Sequence, residues 1–89
     1  MNGADGGRAA ASILVVDDEP AVRSLCGRVL RGMGLKVEVS SGPADAAARL
    51  AATRFDVVLT DLAMPDPGDG ERLVAEVRRR DPAADVLVM

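Results

Sequence analysis

The 89-residue sequence predicts an α/β fold built on a parallel sheet, and three observations predict it. Short apolar runs rich in β-branched residues recur along the chain, stretches with a three-to-four-residue apolar period separate them, and Pro, Gly and Asp mark the junctions. Strands alternating with helices in this way join in parallel through right-handed crossovers.

The elements follow in order. Ile13 to Val16 is a continuous, mostly β-branched run, too short for an ordinary helix, and reads as a strand buried on both faces. Val22, Leu25, Cys26, Val29, Leu30 and Met33 then recur at steps of three and four, with Arg23, Arg28 and Arg31 between them. This is an amphipathic helix, with Pro20 in its first turn and Gly34 at its end. Lys36 to Val39 alternates polar and apolar residues as a short strand does, and Pro43 opens a second, weakly apolar helix through Ala47, Leu50 and Ala51. Phe55 to Leu59 is a compact apolar run that ends at Thr60 and Asp61, a third strand, and a Pro/Gly-rich loop follows it. The third helix is expected after Asp69, which reads as its N-cap, and runs through Leu73, Val74 and Val77 to Arg80. Glu71 in its first turn and Arg78, Arg79 and Arg80 in its last suit the helix dipole. Asp81-Pro82 stops it, and Val86 to Met89 is a fourth apolar run.

Composition narrows the function classes. The chain is 48% hydrophobic and 28% charged, apolar enough for a packed core. Phe55 is its one aromatic residue, so stacking on bases or flat cofactors has almost nothing to use. A formal charge of −3 argues against direct nucleic-acid contact. The absence of histidine removes the usual zinc sets, Ser-His pairs and any role as a histidine phosphodonor. Cys26, the single cysteine, allows no internal disulfide, fits a reducing cytoplasm, and reads as a core residue. Residues 1–12 read as a flexible leader, without the basic start and apolar block of a signal peptide, and residues 13–89 as one domain. No apolar stretch approaches the roughly 20 residues of a membrane span.

In an open parallel sheet, reactive groups gather just beyond the carboxyl ends of the strands. Asp17 and Asp18 follow the first strand and Asp61 follows the third, so three carboxylates are expected to converge at one sheet edge. Such a group repels itself unless a proton or cation is shared, and hard oxygen ligands suit Mg²⁺. A cation there would also neutralise a phosphoryl group approaching a carboxylate nucleophile.

ILVVDDEP at the first strand and DVVLTDLAMP at the third resemble the motifs of the response-regulator receiver (CheY-like) family, in the right order and at the right strands. The resemblance runs from Ile13 to Met89. It implies a flavodoxin-like, doubly wound parallel sheet of strand order 2-1-3-4-5, with the first four strands and three helices in this sequence. By the same resemblance Asp61 is the phosphoacceptor, Asp18 a direct Mg²⁺ ligand and Asp17 the other member of the acidic pair. Ala63 would give its backbone carbonyl to the metal, and Met64-Pro65 would fix the loop. The implied function is that of a two-component or phosphorelay module, a phosphoprotein carrying an aspartyl phosphate donated by a sensor histidine kinase or phosphotransfer protein. It would act as a switch and not as a turnover enzyme.

The sequence also departs from the family. The hydroxyl residue after the fourth strand, the lysine after a fifth strand and the last helices of the family pattern have no counterpart in it, so a C-terminally truncated receiver is expected, with an exposed fourth strand. The loop MPDPGDG is one residue longer than the usual spacing. Other readings stay beside this one. An Asp pair before a helix commonly serves the dipole, and a strand-ending Asp a turn. Asp66 and Asp69 suit turn and cap duties, and Arg78 to Arg80 a solvated helix end. A non-phosphorylated interaction fragment is one alternative. A Mg²⁺-dependent aspartate-nucleophile phosphohydrolase is another, disfavoured because Ala63 stands where haloacid-dehalogenase-type enzymes are expected to carry a second Asp.

Overall fold

A computed structural model describes residues 10–61 and 68–88. Four strands and three helices alternate: β1 (Ser12–Val16), α1 (Pro20–Gly32), β2 (Lys36–Ser40), α2 (Pro43–Ala52), β3 (Val57–Thr60), α3 (Asp69–Arg80) and β4 (Asp85–Val88). The strands form one parallel sheet in the order β2-β1-β3-β4. The crossover through α1 leads to one side of β1, and the next, through α2, leads back past β1 to the other. Right-handed connections in opposite directions put α1 and α2 on opposite faces, and α3 continues on the face of α2, against which it packs. The sheet is therefore doubly wound.

The apolar runs explain the core. Leu14, Val16 and Val58 point to the α2/α3 face, where they join Ala46, Phe55, Leu73, Val77 and Ala84 in one buried cluster. Ile13 and Val15, one position out of phase, are buried on the other face, so β1 is enclosed on both sides as its unbroken apolar run requires. Phe55 lies just before β3, not within it. Its ring is buried in the core, while Asp56 continues the backbone pairing by donating to the Ser12 carbonyl at 2.9 Å.

Two expectations are corrected. The apolar stripe of α1 is only half turned inward: Val22, Cys26 and Leu30 are half-buried, while Leu25, Val29 and Met33 are more than half exposed. The two rows lie about 60° apart around the helix, and Gly27, the one buried α1 residue, lies on the face that meets the sheet. Asp69 is the first residue of α3 and not its cap. Gly68, at φ 86°, takes the cap position and accepts the Arg72 N–H at 2.9 Å, leaving the Asp69 carboxylate to pair with the Arg72 guanidinium at 2.8 Å. Gly34, at φ 89°, follows α1 and donates to the Arg31 carbonyl, as a glycine at a helix end does. β4 is one of the two edges of the sheet among the described residues, with Leu87 and Val88 exposed. Among the described residues, no helix is long and apolar enough to cross a membrane.

Candidate metal centre

The strand register builds the site. Val16 of β1 pairs with Thr60 of β3, so the next residue of each strand, Asp17 and Asp61, stands at the same height at the carboxyl end of the sheet. Asp61 still donates its N–H to the Val16 carbonyl at 3.2 Å, and Asp17 donates its own to the Ser40 carbonyl at 3.1 Å. Both backbones are thus tied to the sheet where the strands end. One carboxylate oxygen from each of Asp17, Asp18 and Asp61 lies within 4.8 Å of the others. Asp17 is buried, Asp61 half-buried and Asp18 exposed, which grades the cluster from the sheet to solvent.

The turn from β1 into α1 holds Asp17 further. Glu19 is the N-cap of α1 in extended conformation and Pro20 follows it; the Glu19 N–H donates to Asp17 Oδ1 at 2.8 Å. The Arg23 guanidinium reaches back from the end of the first turn and donates through Nη1 to the Asp17 backbone carbonyl at 2.7 Å. Sequence reasoning missed Arg23, counting it only among the polar residues between apolar steps. A side-chain bond to a carbonyl six residues back has no periodic signature.

The electrostatics favour a cation. Two unit charges 4.8 Å apart repel by about 0.9 kcal/mol in water and about 3.5 kcal/mol at an effective dielectric constant of about 20. Oxygens bound to one Mg²⁺ at about 2.1 Å stand at most about 4.2 Å apart, so separations of no more than 4.8 Å need at most a small contraction to close on one ion. Three hard, anionic oxygen donors, one buried and two reachable from solvent, fit that ion chemically, with room for water in the remaining positions.

The other residues singled out from the sequence fall elsewhere. Ala63, Met64, Pro65 and Asp66 lie outside the described residues. Asp69 belongs to its pair with Arg72. Arg79 and Arg80 both bind Glu76, and these hydrogen bonds, Arg79 first, hold the Glu76 carboxyl below its ordinary range, so the end of α3 is a self-paired charged turn. Cys26 is half-buried on α1, less enclosed than a core position.

Known proteins place the chain. A family model described as the response regulator receiver domain matches residues 13–89. A response regulator receiver protein of Anaeromyxobacter sp. is 40% identical over 76 residues, which cover 85% of this chain and 32% of that protein. The chain thus spans about a third of the length of this relative. Among solved structures, the chemotaxis protein CheY4 of Vibrio cholerae superposes with a TM-score of 0.83 at 30% identity, covering 90% of this chain and 68% of that one. The response regulator TrrA of Thermotoga maritima, solved in complex with Mg²⁺ and BeF, gives a TM-score of 0.79 at 28% identity, covering 88% and 67%. The parallel order 2-1-3-4 and the three helices agree with these likenesses. The chain belongs to the response regulator receiver domain family.

Proposed function

We propose that Asp61 takes a phosphoryl group from the phosphohistidine of a sensor histidine kinase or phosphotransfer protein, in a Mg²⁺-dependent reaction. The observation that carries this reading is the meeting of three carboxylates at the end of β1 and β3. Asp17, Asp18 and Asp61 would hold the ion, with the Ala63 carbonyl as a further ligand. When bound, Mg²⁺ neutralises charge on the phosphoryl oxygens. A carboxylate oxygen of Asp61 attacks phosphorus in line as the phosphorus–nitrogen bond to the imidazole breaks, and the electron pair returns to the ring nitrogen. Water later cleaves the acyl phosphate, releasing inorganic phosphate and restoring the Asp61 carboxylate. The sheet ties on the Asp17 and Asp61 backbones fix the nucleophile beside its neighbours, so little reorganisation is needed.

Residues 13–89 are the receiver segment in this reading, residues 1–12 a leader, and the module works in the cytoplasm as a switch acting on a protein partner and without direct nucleic-acid contact. The test is intact-mass spectrometry of the protein with Mg²⁺ and acetyl phosphate. One added phosphoryl group is expected, absent in Asp61→Asn and absent when Mg²⁺ is chelated. A folded wild-type protein that gains none, or an Asp61→Asn protein that gains as much, overturns the proposal.

A further inference from the structure

Asp17 is anchored at every polar group of its backbone and at one side-chain oxygen: its N–H donates to the Ser40 carbonyl, its Oδ1 accepts the Glu19 N–H, and its carbonyl accepts Arg23 Nη1. The third anchor differs from the other two, because the Asp17 carbonyl belongs to the peptide group that joins Asp17 to Asp18. The plane of that peptide sets the direction in which the Asp18 side chain leaves the turn. Asp18 itself is exposed, so packing does not fix it. The Arg23 N–H also donates to the Glu19 carbonyl at 3.1 Å, which locks the start of α1 to the same turn and gives the guanidinium a fixed base from which to reach.

Most other arginines described have carboxylate partners. Arg49 binds Glu38 and Asp45, Arg54 binds Asp81, Arg72 binds Asp69, and Arg79 and Arg80 bind Glu76. Arg23 instead spends a charged donor on a carbonyl at the base of the acidic cluster, with a bond of 2.7 Å, in the range of charge-assisted contacts. We propose that Arg23 is a positioning residue for the cation site: by holding the Asp17–Asp18 peptide, it aims the Asp18 carboxylate at the ion shared with Asp17 and Asp61. This rests on the Mg²⁺-dependent phosphoacceptor reading above and adds to it a residue that touches neither the ion nor the phosphoryl group.

The experiment compares wild type, Arg23→Met and Arg23→Lys in two readouts across a Mg²⁺ titration: melting temperature by circular dichroism, without any phosphodonor, and phosphoryl uptake from acetyl phosphate. In Arg23→Met the half-saturating Mg²⁺ concentration is expected to rise about tenfold, the scale seen when groups that orient metal ligands are removed. Uptake is expected to recover to the wild-type rate once Mg²⁺ saturates. Arg23→Lys retains a charge and a donor but not the planar fork, and should half-saturate between the other two. A melting temperature lowered equally at all Mg²⁺ concentrations, with half-saturation unmoved, makes Arg23 a merely structural residue and overturns the proposal. If Arg23→Met does not fold, Arg23→Lys decides: half-saturation raised several-fold supports the proposal, and an unchanged value overturns it. A wild-type protein that ignores Mg²⁺ and takes up no phosphoryl group fails the parent reading and this one together. A responsive wild type matched by both variants fails this one alone.

Discussion

The two ends of the sheet differ in how closely they set their acidic residues. At the amino end each of two carboxylates is matched to a donor: Asp56 accepts the Ser12 N–H at 2.8 Å, and Asp81 accepts Arg54 Nε at 3.0 Å and the Ala83 N–H at 3.2 Å. The Arg54 hydrogen bond holds the Asp81 carboxyl below its ordinary range. At the carboxyl end Asp17, Asp18 and Asp61 converge on one another, although Asp17 Oδ1 also accepts the Glu19 N–H, and Arg23 donates to a backbone carbonyl of the cluster. One end spreads its carboxylates over separate donors, and the other sets three close enough to repel one another, a repulsion that a shared cation would relieve. Local conflict of this kind, on an otherwise consistent scaffold, marks a functional site.

The largest expected effect is that of Mg²⁺ itself. At ten times its dissociation constant the ion should stabilise the fold by about 1.4 kcal/mol, a rise of roughly 5–10 °C in melting temperature for a domain of this size. Asp18→Asn should lose most of that rise, and calorimetry with and without Mg²⁺ checks it. Next in size, the same substitution should stabilise the metal-free protein by about 1 kcal/mol, because it removes one repelling charge from the exposed side of the cluster. Urea unfolding in a chelator measures this, and a destabilised Asp18→Asn protein would count against the repulsion.

A smaller effect should follow from monovalent salt. Raising NaCl from about 0.01 M to about 1 M shortens the screening length from about 30 Å to about 3 Å. Wild type should therefore gain melting temperature relative to Asp18→Asn, since only the former has the full cluster to screen. The smallest effect belongs to the amino end. A carboxyl held below its unfolded value contributes stability above that value and loses it as pH falls through the folded one. Asp81→Asn should thus melt slightly below wild type at pH 7, and the gap should close below about pH 4. A gap that widens in acid would contradict the assigned pairing.

Much of this architecture was legible in the sequence for identifiable reasons. Unbroken β-branched runs located β1 and β3, Pro20 and Pro43 located two helix starts, and the order of elements required a parallel sheet. Placing Asp17 and Asp61 at one edge needed only the rule that strand ends align in such a sheet, and the Val16–Thr60 register supplies that alignment. What escaped was decided by three-dimensional detail. A period of three and four admits two rows on α1, and the packing of the helix turns the Val22, Cys26 and Leu30 row, beside buried Gly27, toward the sheet. Asp69 has the composition of a cap, yet the positive φ of Gly68 starts α3 one residue earlier. Arg23 looked like any solvent-facing helix arginine until its guanidinium was found on the Asp17 carbonyl.

One cation shared by Asp17, Asp18 and Asp61 is the central requirement, and an NMR titration of backbone amides with Mg²⁺ tests it most directly. One saturable transition is predicted, with the largest shifts at Asp17, Asp18 and Asp61 and almost none at Asp56, Asp81 and Asp85. A folded protein whose Asp17, Asp18 and Asp61 amides stay unmoved, or whose shifts are as large at the amino end, would contradict it.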